Sequence, residues 1–330
     1  MQQDIAEVLS GPWAILPDRL PFVRAALLDV RSGGQRAIPQ ARTYAAANDA
    51  TRRRQASNDA IAVLPFYGIA VQRTDAMGEL LGLVSVQRFT QAFRAALADQ
   101  AVRGIVIDMD SPGGSAYGVA ELADEIYRSR ARKPIFSVAN SLAASGAYWI
   151  ASAASEFYVT PGGEVGGIGV HDMHRDFSKG LEKAGIETTL IAAGKFKTEG
   201  NPFHPLGTNA RAAMQKRVDG YYRSFVAAVA KHRNVPESAV RNGMGQGRVF
   251  GAERGLRENM VDGFATLDDV VRMLARRIGQ GKAAAPSPRA TQLHARQRVI
   301  EALSRRPSSG PPRTAMPAAA RECVIDMLSL

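Results

Sequence analysis

Three short segments carry residue types that together can break an acyl bond. Ser145 sits in SLAASGAYWIASAA, and Lys197 follows 52 residues later in AGKFKTEGNPFHPL. Upstream, residues 107–114 read IDMDSPGG. A serine hydroxyl attacks a carbonyl poorly until a neighbouring base takes its proton. A lysine serves as that base once burial depresses its pKa from the ordinary value of ~10.4. Gly113 lies in a turn that frees backbone N–H groups, and Gly146 N–H stands next to the hydroxyl. Amides so placed hold a developing oxyanion. Each part also has a plainer reading. Gly-Gly turns join strands to helices for steric reasons alone, and Ser145 reads equally as the N-cap of the helix it opens. Lysines are seldom buried, and Lys195 and Lys197, both in GKFK, leave the choice of base open. Phe196, Phe203, Pro202 and Pro205 favour a dry setting for Lys197, and Glu199 opposes it.

Other constellations are weaker. His171 and His174 form an H-x-x-H pair with no third ligand of matching type, Asp172 and Asp176 being the nearest carboxylates. A triad of Ser145, His171 and Asp172 or Asp176 is the sharper rival to a Ser–Lys pair; surface or capping histidines are the plain reading. The glycine-dense PGGEVGGIGV of residues 161–170 lacks both G-x-G-x-x-G and G-K-[ST], so no nucleotide site is expected. The single cysteine, Cys323, rules out an intrachain disulfide and a cysteine-based metal site, and its apolar setting ECVIDML predicts a buried thiol. Neither a cofactor nor a metal is expected.

The chain has 330 residues, 45% of them apolar, enough for one large α/β domain or two modest ones. Its net charge is +11, from 42 basic and 31 acidic residues. The excess gathers in residues 31–54, six arginines against Asp49, and in residues 282–330, eight Lys/Arg against three acidic residues. Without interleaved aromatics or a nucleic-acid motif these read as solvated arms, and no specific nucleic-acid partner is expected. MQQDIAEVLSGPWAILPDRL lacks a basic leader and a long apolar core, and no apolar run reaches the ~18 residues of a bilayer span. A soluble chain without a membrane anchor, made in the cytoplasm, is expected.

Four stretches follow from the pattern: an N-terminal helical arm over 1–30, anchored by Ile15, Leu20, Phe22, Val23, Leu27 and Leu28; a basic linker over 31–58; the catalytic domain over 59–280; and a Pro/Ala/Arg-rich tail over 281–330. The tail is read as largely disordered or a docking segment around one short helix at 292–304. Within the domain, strands are predicted at 61–71 (straight or bent), 104–110, 134–140, 156–160 and 188–194. Helices are predicted at 86–99, 118–130, 145–154, 210–233 (capped by Thr208) and 267–278. SPGG then joins a strand to a helix. This alternation predicts an α/β fold, right-handed crossovers on one mainly parallel sheet, with ligands at the strands' C-terminal edge.

Residues from about 61 to 275 resemble the S49 peptidase family, the signal-peptide-peptidase-A-like serine proteases of the ClpP/crotonase fold. The words that carry the likeness are IDMDSPGG, SLAASGAYWIASAA, GGIGV and AGKFKTEGNPFHPL, in that order. SGPWAILPDRL and GRVFGAERGLRENMVDGFATLDDVV resemble that family's phage head-maturation (prohead) branch, which has no membrane anchor. The resemblance implies a Ser–Lys dyad: Ser145 as nucleophile, Lys197 as base, Gly113 and Gly146 as oxyanion donors, and an acyl-enzyme. It also implies a protein or peptide substrate (capsid, scaffold or portal proteins in a phage setting), a homo-oligomer, and a site in the host cytoplasm or procapsid. One position departs. The family usually reads G-S-I-G where this chain reads Gly166-Gly167-Ile168-Gly169. That serine orients the lysine, a role that Thr198 or a water would take here. Two rivals remain on the same fold: a crotonase-type acyl-CoA enzyme, and an inactive assembly or scaffold protein, suggested by Gly167 and the basic tail.

Overall fold

IAVLPFY and GIVIDMDS are near-continuous apolar runs that a sheet covered on both faces can bury. They form β2 (Ile61–Tyr67) and β5 (Gly104–Ser111), paired in parallel from Ile61↔Gly104 to Tyr67↔Asp110. The computed structural model describes residues 12–17, 61–75, 78–79 and 82–280. The 31–58 linker, the 281–330 tail with its 292–304 helix, Cys323 and most of the 1–30 arm lie outside the described residues. The chain divides into two units, 1–284 and 285–330, and the described residues belong to the first.

β7 (Ile135–Ala144) lies parallel to β5 on its other side. Its partner changes along its length. Phe136–Ala139 pair with β8 (Glu156–Val159), while Leu142–Ala144 pair with β9 (Glu164–Gly166), both in parallel. Exposed Asn140 and Ser141 stand at the fork. The predicted strand at 134–140 therefore runs on to Ala144, and its far end opens beside β9. β10 (Val249–Gly251) closes that edge antiparallel to β9, and β11 (Gly263–Phe264) extends the β8 branch.

The alternation predicts one sheet; the chain forms two. β6 (Gly113–Ser115) pairs in parallel with β3 (Ile69–Val71) and antiparallel with β1 (Trp13–Ile15). β4 (Leu83–Ser85) completes the order β1-β6-β3-β4. SPGG thus leads from one sheet into the other instead of turning straight into a helix. Gly113 makes that passage with φ +92°, a conformation a Cβ disfavours. Ser85 caps α1 (Val86–Ala98) by accepting from Arg88 N–H, and α2 (Val119–Ser129) starts after Gly118.

α3 (Gly146–Ser152) is wholly buried, its small residues letting it lie close to the sheet. The segment after β9 carries α4 (Ser178–Lys183), which buries no residue. The predicted strand at 188–194 does not form. Those residues are exposed or half-buried and have no ladder partner among the described residues, and a strand without a partner leaves its backbone groups unpaired. α5 (Thr208–Arg233) begins at Thr208, with Gly207 at the cap position, so Thr208 is the first helical residue and not the cap. α6 (Glu237–Asn242), α7 (Ala252–Arg257) and α8 (Leu267–Gln280) follow. Trp149 of α3 stacks on Phe225 of α5 with ring centroids 4.5 Å apart. Tyr148 donates to the Met260 carbonyl at 3.0 Å, and Arg233 forks onto Asp262 at 2.8 and 3.0 Å. These contacts fix α3 between the sheet and α5.

His232 ends that core. Ser152 Oγ donates to the Trp149 carbonyl at 2.9 Å, so it accepts from His232 Nδ1 at 3.0 Å, which selects the Nδ1–H tautomer. Burial, reinforced by the charges of Lys231 and Arg130, pushes the His232 pKa down to about 3. Unfolded histidine titrates near ~6.5, so the unfolded chain takes up this proton first and stability is lost as pH falls from that value toward 3. Between pH 7 and pH 5 this group costs the folded state about 2 kcal/mol. Urea unfolding of the unsubstituted chain and of His232→Gln at both pH values should show a smaller acid loss in the variant, by roughly that amount. Equal losses would contradict the buried neutral imidazole.

Candidate active site

Ser145 joins β7 to α3. Its own φ is +54° and ψ −121°, a sparsely populated conformation for a residue with a side chain. Strained strand-to-helix turns of this kind lift one side chain clear of the sheet's end. The turn is held from both sides: Ser145 N–H donates to the Gly166 carbonyl at 2.7 Å, and Trp149 N–H to the Ser145 carbonyl at 3.0 Å. No side-chain cap is made, which sets aside the N-cap reading. Ser145 is 1% exposed, and its Oγ lies 3.4 Å from the Gly169 carbonyl, the long hydrogen bond it makes.

The two expected oxyanion donors come together. A Cβ placed on Gly113 would fall 2.9 Å from Gly146 N and 2.9 Å from the Ala144 carbonyl. Gly113 N–H is directed to Ser111 Oγ at 3.2 Å. A hydroxyl, two glycine amides and the start of a buried helix therefore converge at the ends of β5 and β7.

Lys197 lies elsewhere in character. It is exposed, and among the described residues its ammonium makes no hydrogen bond or ion pair; none joins it to Ser145. Lys195 rests its ammonium over the Phe196 ring, 5.0 Å from the centroid. Thr198 is half-buried and receives Asn201 on its backbone carbonyl, not on its hydroxyl. This arm also carries Met173, Phe177, Ile186, Ile191, Phe196 and Phe203 as exposed apolar side chains, Ile191 at 97%. A cleft of about 600 Å³ between the arm and the start of α5 is lined by Met173, Phe177, Phe196 and Met214 among others, and not by Ser145.

The histidine readings find no support. Ser145 Oγ turns to Gly169 and not to His171, whose Nε2 is buried without a partner among the described residues. Asp172 pairs with Arg217, and Asp176 receives Ser178 N–H. Burial lowers the His171 pKa. His174 Nε2 meets the Asn201 carbonyl at 2.9 Å. Among the described residues no three His, Cys, Asp or Glu side chains gather as a metal site.

Two features escaped the sequence reading. Asp108 is fully buried in β5; the Tyr67 hydroxyl donates to its Oδ2, while Oδ1 has no partner among the described residues. Burial pushes its pKa up to about 6, against the opposing hydrogen bonds of Tyr67 and Asn140. The second is β1. It runs directly over the site, with the Ala14 carbonyl 2.1 Å from where a Gly113 Cβ would stand and 3.2 Å from where a Gly146 Cβ would stand. Leu16 Cδ2 and Ser145 Cβ both crowd the position a Gly167 Cβ would take, at 3.3 and 3.4 Å. Pro12 and Pro17 bracket this segment in the sequence and are the signal that could have marked it.

Gly167 itself has φ +67°, and a Cβ there would stand 2.9 Å from Ser145 N. A serine at this position is therefore strained, and the turn must shift to admit it. Gly167→Ser should lower the melting temperature by several degrees; an unchanged or higher value would contradict this packing.

The model of peptidase family S49 matches residues 116–280. The chain is 33% identical over 254 residues to the head-tail preconnector protein GP5 of Enterobacteria phage P21, covering 76% of this chain and 50% of that one. It is 31% identical over 261 residues to the capsid assembly protease C of Escherichia phage lambda, covering 79% and 56%. A putative signal peptide peptidase SppA of Enterococcus faecium is 29% identical over 186 residues, covering 56% and 54%. The chain thus spans about half the length of the curated relatives it matches. Among the described residues no helix is long and apolar enough to cross a membrane.

Proposed function

We propose, for a chain that belongs to peptidase family S49, that it is a serine endopeptidase in which Ser145 is the nucleophile and Lys197 the base. The observation that carries this reading is the turn at Ser145: a strained, buried serine at a point where the backbones of Gly113 and Gly146 approach each other. In the proposed reaction neutral Lys197 takes the Ser145 proton as Oγ attacks the scissile carbonyl. The Gly113 and Gly146 N–H groups hold the oxyanion; one such donor contributes about 3 kcal/mol in comparable sites. Lysinium then protonates the leaving amine, and a water molecule releases the acyl group from Ser145. For the Gly113 amide this requires letting go of Ser111 Oγ.

The lysine imposes a condition. A general base must lie within hydrogen-bonding reach of the proton it takes, and Lys197 is exposed with no bond to Ser145. Lys197 becomes a base only when its arm is covered, and the arm's exposed Phe177, Ile191 and Phe196 are surface that a partner would bury. A second copy of the chain meets both needs, which fits a homo-oligomer whose lysine serves a neighbour's serine. The capsid assembly role in the name of the lambda relative supports phage head proteins as the substrate class, with cleavage in the host cytoplasm or procapsid.

On an unfolded protein substrate, Ser145→Ala and Lys197→Ala should each lose at least about a thousandfold in rate, while Lys195→Ala stays close to the unsubstituted chain. Mixing the two inactive variants should regain activity, one copy supplying the serine and the other the lysine. Retained proteolysis in Ser145→Ala would sink the reading. An equal loss in Lys195→Ala would unseat Lys197 as the base.

A further inference from the structure

β1 makes hydrogen bonds on both of its edges. On one side it runs antiparallel to β6, with Trp13↔Ser115, Ala14↔Gly114 and Ile15↔Gly113 in register. Leu16 N–H donates to the Pro112 carbonyl and Ala116 N–H to the Pro12 carbonyl, both at 3.1 Å, extending the pairing to five residues. On the other side Trp13 and His171 exchange both backbone bonds, at 2.7 and 3.0 Å. The segment is therefore a strand slotted between two walls, β6 and the chain leading from Gly169 to His171. The Ser145 hydroxyl faces that second wall through Gly169.

Its side chains alternate as a strand requires. Trp13 and Ile15 pack on Val71 and Leu83. Ala14 and Leu16 take the opposite face, Ala14 over Gly146 and Leu16 against Gly167 beside Ser145. Ala14 is fully buried against Gly146, which favours a small residue at position 14. Pro12 and Pro17 offer no N–H to a ladder, and Pro17 favours an extended Leu16. The segment is thus a short, extended peptide whose N–H donors lie only between its two prolines.

We propose that the slot between β6 and His171 is a binding site for extended peptides, and that Pro12–Leu16 is its resident ligand, a strand of the chain's own that an incoming peptide must displace. The ligands it takes are extended segments with large apolar residues at two alternate positions, a small residue between them and an aliphatic residue beside the Ser145 hydroxyl. That displacement gates cleavage rests on the reading of Ser145 as nucleophile; occupancy of the slot does not.

Binding in a Ser145→Ala background tests the slot whether or not Ser145 performs catalysis. A fluorescent peptide of residues 11–18 is titrated by anisotropy into protein lacking residues 1–17 and into the full chain. Saturable binding is expected for the truncated protein, at least tenfold tighter than for the full chain, with unlabelled peptide competing. Equal affinity for the two proteins, or no binding to a folded truncated protein, overturns the proposal. Should the truncation fail to fold, the full chain with Trp13→Cys, Ser115→Cys and Cys323→Ser decides instead. Residues 13 and 115 face each other in the pairing, and Trp13 directs its own backbone bonds to His171, so this is a non-hydrogen-bonded pair close enough for a disulfide. The peptide should bind the reduced form and not the oxidised one; indifference to the redox state overturns the proposal. Proteolysis is scored separately with Ser145 intact: a chain that binds the peptide yet cleaves nothing rejects the peptidase reading and leaves the resident strand standing.

Discussion

One hydrogen bond sets the geometry on which the site depends: Ser145 N–H to the Gly166 carbonyl, at 2.7 Å. It ties the end of β7 to the end of β9 at the point where the chain bends out of the sheet. With it, Ser145 is held at positive φ and its hydroxyl is turned to the Gly169 carbonyl. A residue in this conformation costs on the order of 1–3 kcal/mol, so the surroundings must impose it. They do so by burial: Tyr148, Trp149 and Ile150 lock α3 against β8, α5 and the Met260 segment. Gly167 completes the constraint, since a side chain there would strike the Ser145 amide. The glycine that looks like a loss in the motif is what this version of the turn requires.

The second constraint is electrostatic. A lysine base must be dry, and the arm that carries Lys197 is wet in a single copy. In the proposed dyad the hydroxyl is built into the core, while the amine is exposed among apolar side chains. Activity would then depend on assembly, and the nucleophile would stay unactivated in an isolated chain. On the proposed reading β1 adds a further condition, because it already lies over Gly113 and Gly146 beside the hydroxyl.

Much of this was legible in the residues. The β-branched run at 104–110, the helical spacing of Phe89, Phe93 and Leu97, and the buried helix after Ser145 all follow from local pattern, and each formed close to its expected bounds. Gly113 and Gly146, separated by 33 positions along the chain, lie close together. What the pattern could not give was long-range pairing. Three-residue strands such as β3, β4 and β6 carry no periodicity, so the second sheet was invisible, and β1 reads as part of a helical arm until its partner is known. The 188–194 run has strand composition but no ladder to join. Composition reports what a segment can pair with, not whether a partner is there. Asp108 went unnoticed for a related reason: a carboxylate inside a strand draws attention only once its burial is known.

The most direct test of the central claim is the site of covalent capture. The assembled, unsubstituted protein is treated with a peptidyl fluorophosphonate, digested, and mapped by mass spectrometry. The account predicts a single adduct on the peptide containing Ser145, formed in the folded protein and lost on urea unfolding. An adduct on another serine, or none on a protein that cleaves its substrate, would contradict it.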